Sequence, residues 1–63
     1  MPSITHLTPA ELAGRWHITT AALRSQRSKG TGPTYIQIGA RRVLYAIADI
    51  EAYEAERKVE PVA

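Results

Sequence analysis

Residues 17–30 read HITTAALRSQRSKG, and the architecture follows from them. Thr19 is a natural N-cap, a hydroxyl placed to accept the free N–H groups of a helix beginning at Thr20. Gly30 is a natural stop, because glycine takes the left-handed conformation that closes a helix. The spacing therefore predicts a helix over Thr20–Lys29, entered through a tight turn at His17–Ile18–Thr19. At about 100° per residue, Ala22, Leu23 and Gln26 share one side and Ile18 joins them. Thr20, Ala21, Arg24, Ser25 and Ser28 share the other, with Arg27 at the flank. A helix face turned only to water usually mixes charge signs; this one is small, hydroxylated and basic, without a glutamate.

Upstream, Thr8-Pro9-Ala10-Glu11 is a complete helix start. Thr8 serves as N-cap, Pro9 occupies the first helical position and Glu11 completes a capping box. Leu7 and Leu12 form the matching hydrophobic staple. Leu12 and Trp16, with Ala13, supply an apolar stripe for a helix of barely two turns, too short to persist without tertiary support. Residues 1–6 lack periodicity and read as a flexible arm.

Downstream, Gly30-Thr31-Gly32-Pro33 breaks the chain. Tyr35–Ile36–Gln37–Ile38 and Val43–Leu44–Tyr45 then read as two strands around Gly39-Ala40-Arg41-Arg42, a hairpin tipped with two arginines. An isolated hairpin is marginal, so packing on the helices is expected through Ile36, Ile38, Val43 and Tyr45, with Leu44 on the other side. A third helix is expected from Ile47 to Arg57 or Lys58, burying Ile47, Ile50 and Tyr53; its N-cap is poor. Trp16 and Tyr45 are read as core aromatics. Residues 7–58 form the domain and residues 59–63 a tail.

The whole chain is 63 residues, with eight Lys+Arg, six Asp+Glu and no cysteine. That allows one small domain and excludes a Rossmann sheet, a barrel or an interdomain cleft. Absence of cysteine removes disulfides and thiolate zinc sites and suits a reducing cytoplasm. No apolar run is long enough to span a bilayer. Two histidines without ligand spacing argue against a metal site. No Ser/His/Asp set and no phosphate-binding glycine loop is present, so an enzyme is not expected and no cofactor is called for.

Charge placement is more telling than its total. Between Glu11 and Asp49 lie Arg15, Arg24, Arg27, Lys29, Arg41 and Arg42 without a single acid, whereas the third helix is acidic. One surface for a polyanion is implied. If all six bases met phosphates, log affinity would fall against log salt with a slope of about −5.

Helix, turn, helix, basic hairpin, helix is the order of a winged helix-turn-helix, mainly α with a small β-hairpin. A helix with its side chains is roughly 10–12 Å across and fits a major groove about 12 Å wide. A basic wing then reaches the adjacent backbone or minor groove. The runs LTPAELAGRW, ITTAALRSQRSKG, GPTYIQIGARRVLY and ADIEAYEAE resemble, in this order and over residues 7–56, the small winged-helix proteins of the excisionase group. These are relatives of MerR-type DNA-binding domains and AlpA-like phage regulators.

The resemblance implies a bacteriophage recombination directionality factor working in the host cytoplasm. Such a factor binds and bends double-stranded DNA at attachment sites and promotes excision by a tyrosine integrase; because one module of this size buries only roughly 600–1,000 Å² on DNA, cooperative self-association of several copies is expected. It implies that Thr19 and Thr20 approach phosphate or base edges and that Ala21, Arg24, Ser25 and Ser28 face the major groove. Arg27 and Lys29 would meet the backbone, and Arg41 and Arg42 would make the wing contact. Arg24 reads either a guanine, the commonest specific arginine contact, or a phosphate, which carries no sequence information. Gln26 departs from the buried aromatic usual in this group, and His17 from the usual turn glycine. Trp16 is expected to fill part of the space left at Gln26, and His17 to take a left-handed conformation. Two other roles fit the residues: an AlpA-like transcriptional regulator using the same surface, or a protein-interaction module working through the acidic helix at residues 48–58.

Overall fold

The computed structural model describes residues 5–59 and 61. They form β1 (His6–Leu7), α1 (Pro9–Trp16), α2 (Thr20–Lys29), β2 (Ile36–Ile38), β3 (Arg42–Ala46) and α3 (Ile47–Glu56). The three helices accompany a three-stranded antiparallel sheet in the order β1-β3-β2.

Local chemistry accounts for the two leading helices. The Glu11 amide donates to Thr8 Oγ1 at 3.2 Å while the Thr8 amide donates to Glu11 Oε1 at 2.9 Å, the reciprocal capping box. α1 ends where His17 turns left-handed, with φ 57°. There the His17 amide donates to the Gly14 carbonyl at 3.4 Å and the Ile18 amide to Ala13 at 3.0 Å. α2 closes in the same way: Gly30 has φ 73°, its amide donates to Arg27, and the Thr31 amide donates to Gln26 at 2.9 Å. Both closures are Schellman motifs, which satisfy carbonyls that a helix end otherwise leaves free. Histidine does at residue 17 what glycine does at residue 30.

The core is small and drawn from every layer. Leu12, Leu23 and Ile50 are fully buried and Tyr45 is 1% exposed, with Ala13 beside them and Leu7, Trp16 and Val43 packed against the group. Each helix thus contributes one aliphatic side chain that leaves water completely.

Three sequence expectations are corrected. First, the arm does not extend through residue 6: His6 pairs with Ala46 and Leu7 with Tyr45, adding a third strand to the expected hairpin. The Ile47 amide continues this pairing by donating to the Thr5 carbonyl at 2.9 Å. Ala46, the N-cap of α3, offers no side-chain acceptor, so the backbone of residue 5 supplies an acceptor that the cap lacks. Residues 1–4 lie outside the described residues, as do residues 60, 62 and 63 of the expected tail.

Second, Ile36 and Ile38 are not core residues; they are 44% and 50% exposed. The register pairs Ile36 with Leu44 and Ile38 with Arg42, while Gln37 pairs with Val43. Directly paired residues share a face and successive residues alternate. Val43 and Tyr45 therefore turn inward, Gln37 lies on their side of the sheet but is exposed, and the isoleucines turn outward with half-buried Leu44. Hydrophobicity suggested the opposite assignment for β2, and one residue of register reverses a strand.

Third, Trp16 and Gln26 each meet a partner the sequence reading did not name. Trp16 stacks on Tyr53 of α3 with ring centroids 5.6 Å apart. Gln26 is instead met by the loop after α2, where Gly32 has φ 86° and a Cβ would sit 2.6 Å from Gln26 Oε1. The position therefore holds a medium-sized polar side chain under a glycine. α3 ends at Glu56, with Arg57 stacked over the Tyr53 ring at 4.4 Å.

Candidate nucleic-acid interface

Burial of Leu23 fixes the rotation of α2. With Leu23 inward and Ala22, Gln26 and Arg27 half-buried, Thr20, Ala21, Arg24, Ser25, Ser28 and Lys29 are exposed. The hairpin turn is set by Gly39, whose φ of 68° permits the reversal, and Gln37 Nε2 donates across it to the Gly39 carbonyl at 3.4 Å. Arg41 completes that turn and Arg42 opens β3.

These elements enclose a groove of about 430 Å³ lined by Thr8, Pro9, Thr20, Ala21, Arg24, Arg27, Arg41, Arg42 and Val43. A second hollow of about 520 Å³ continues it along Arg24, Arg27, Gln37, Ala40, Arg41 and Val43. Four guanidinium side chains from two separate elements therefore converge, and among the described residues no acid lines either hollow. In a concave, uniformly basic site the potentials add, which raises the local concentration of anions.

The sequence-expected residues divide unevenly. Thr20, Ala21, Arg24, Arg27, Arg41 and Arg42 line the groove. Ser25, Ser28 and Lys29 are exposed on α2 beyond its lining. Thr19 Oγ1 accepts from the Ala22 amide at 3.1 Å, so its hydroxyl is engaged in the helix cap. Thr8, Pro9, Gln37, Ala40 and Val43 were not anticipated; they belong to the groove because the start of α1 and the hairpin flank α2 in space.

Arg27 is the most constrained of the four arginines. Its Nη1 donates to Tyr45 Oη at 2.8 Å and its guanidinium lies 5.8 Å from the centre of the Tyr35 ring. The two tyrosine rings are 6.1 Å apart.

Arg15 does not join the groove. It forms a bidentate pair with Glu54, Nε to Oε2 at 2.8 Å and Nη2 to Oε1 at 2.7 Å. Trp16 Nε1 also donates to Glu54 Oε2 at 2.6 Å, so one carboxylate fastens α1 to α3. The Arg15 hydrogen bonds, and then that of Trp16, hold the Glu54 carboxyl down at about 2 against an ordinary 4.5; the Arg15 guanidinium is correspondingly raised.

Because the folded chain holds Glu54 below its unfolded value, this carboxylate stabilises the fold above about pH 4.5, and that contribution disappears as pH falls towards 2. Glu54→Gln is therefore expected to unfold at a lower temperature than wild type at pH 7. The gap between the two melting curves should narrow below about pH 4.5 and close only as pH falls through about 2, where wild-type Glu54 becomes protonated. Thermal melts followed by circular dichroism at stepped pH read this directly; a constant gap between the two proteins from pH 7 to 2 contradicts it.

Compared with family models, with characterised proteins and with solved structures, the chain finds no match.

Proposed function

We propose that this chain is a sequence-specific binder of double-stranded DNA with a winged helix-turn-helix architecture, in which α2 enters the major groove and the Arg41–Arg42 hairpin serves as the wing. It acts without catalysis, as an excisionase-type directionality factor that bends attachment-site DNA and biases a tyrosine integrase towards excision. The observation that carries the reading is the convergence of Arg24, Arg27, Arg41 and Arg42 on one acid-free groove. DNA is the polyanion that such a surface suits, since a helix and a flanking basic hairpin match the dimensions of a major groove and its neighbouring backbone. The DNA-binding part rests on this geometry; the excision role rests on the family resemblance of residues 7–56. A factor of this kind shifts a recombination equilibrium only through its preference for one DNA architecture over another.

Footprinting on DNA flanking the chain's own coding region tests the role: protected repeats beside an integrase core site support it, and protection confined to a promoter assigns a regulator instead. Affinity measured from 50 to 300 mM salt tests the surface. With Arg15 committed to Glu54, Arg24, Arg27, Lys29, Arg41 and Arg42 remain, so the log–log slope should be no steeper than about −4.5, from roughly −0.9 per phosphate. Binding that is indifferent to salt removes the proposal.

A further inference from the structure

Arg27 stands where three hollows meet. It lines the groove with Arg41 and Arg42, the hollow continuing along Gln37 and Ala40, and a third of about 280 Å³ bordered by residues 30–35. A free arginine in such a place samples many rotamers, and that freedom is lost when it binds. Here the freedom is already restricted. Tyr45 is buried in the core at 1% exposure and its hydroxyl accepts from Arg27 Nη1 at 2.8 Å. Tyr35 flanks the same guanidinium. Arginine carries five N–H donors in a planar fork, so one bond to Tyr45 leaves donors for a further acceptor.

We propose that Tyr45 is a positioning residue: its hydroxyl holds the Arg27 guanidinium in place before DNA arrives, making Arg27 a preorganised phosphodiester anchor at the junction of α2 and the sheet. This rests on the DNA-binding reading above and assigns within it a residue that touches no DNA. Among the grooved arginines, Arg27 has a side-chain hydrogen bond to the core, and its position is thereby tied to that of β3. The occupant is a backbone phosphate, because a fork with one donor already committed and a fixed direction matches a tetrahedral oxyanion regardless of base sequence.

The test compares wild type, Tyr45→Phe, Arg27→Ala and the double variant on one duplex, with thermal melts to follow folding. Tyr45→Phe keeps the buried ring and loses only the hydroxyl. It should weaken binding about 2- to 12-fold, corresponding to ~0.5–1.5 kcal/mol for one side chain immobilised on binding. Its salt slope should not change, since no charge is removed. Arg27→Ala should flatten the slope by about 0.9, and adding Tyr45→Phe to it should cost nothing more.

A second readout needs no DNA. In the free protein the Arg27 side-chain N–H resonances should be resolved in wild type and averaged in Tyr45→Phe. Equal affinity losses from Tyr45→Phe with and without Arg27 would mean a purely structural role and overturn the proposal. Averaged Arg27 resonances in wild type overturn it while leaving DNA binding intact. A wild-type chain that ignores duplex DNA overturns both this proposal and the reading beneath it.

Discussion

Arg24→Ala is expected to lose about 5- to 150-fold in affinity for its preferred duplex and to lose discrimination at one base pair, from the ~1–3 kcal/mol that a bidentate arginine–guanine contact contributes. Arg24 lies in mid-helix on the exposed side of α2 and lines both basic hollows, which is where a recognition helix addresses base edges. Arg41→Ala should behave differently. It removes a cation from the hairpin, so all sequences should weaken alike and the salt slope should flatten by about one contact. Combining the two should bring specific binding down to the level of nonspecific binding. Electrophoretic or anisotropy titrations against a panel of single-base variants separate these outcomes. If Arg24→Ala weakens every sequence equally, Arg24 is a phosphate contact and specificity lies elsewhere on α2. If neither change matters while Glu51→Lys or Glu56→Lys abolishes association with a protein partner, the acidic α3 is the working surface.

Leu23→Ala is expected to unfold a large fraction of the protein at 25 °C. Truncating a buried leucine typically costs about 2–5 kcal/mol, and a domain of this size rarely has more than about 3–5 kcal/mol in reserve. Leu23 is completely buried, and it also sets the rotation of α2, so DNA binding should fall together with folding. Ile38→Thr provides the contrast. It is as hydrophobic by sequence, yet half-exposed on the outer face of β2, and its replacement should change stability by no more than about 0.5 kcal/mol. Urea unfolding of the two variants checks the assignment. A stable Leu23→Ala beside an unfolded Ile38→Thr would mean that the inward and outward faces are exchanged.

The parts of this molecule that were legible in advance are those governed by neighbouring residues. Thr8, Pro9 and Glu11 announce α1, Thr19 and Gly30 bracket α2, and Gly39 with two arginines marks the hairpin turn; each is realised as read. A cap or a turn is satisfied within three or four residues, so its chemistry is local and so is its signature. The same holds for the exposed face of α2, because helical periodicity follows from the backbone itself.

Local pattern thus specifies three helices, a hairpin and an acid-free run of bases from Arg15 to Arg42. Which of those bases share a groove depends on contacts between distant segments. Arg15 is drawn away by Glu54, thirty-nine positions later, and Arg27 is held by Tyr45, eighteen positions later. Such contacts also decide that β1 joins the sheet and that Ile36 and Ile38 face outward. The physical reason is shared: an ion pair, a ladder partner or a strand's inward face depends on which distant segment folding brings alongside. Linear spacing carries no record of that encounter.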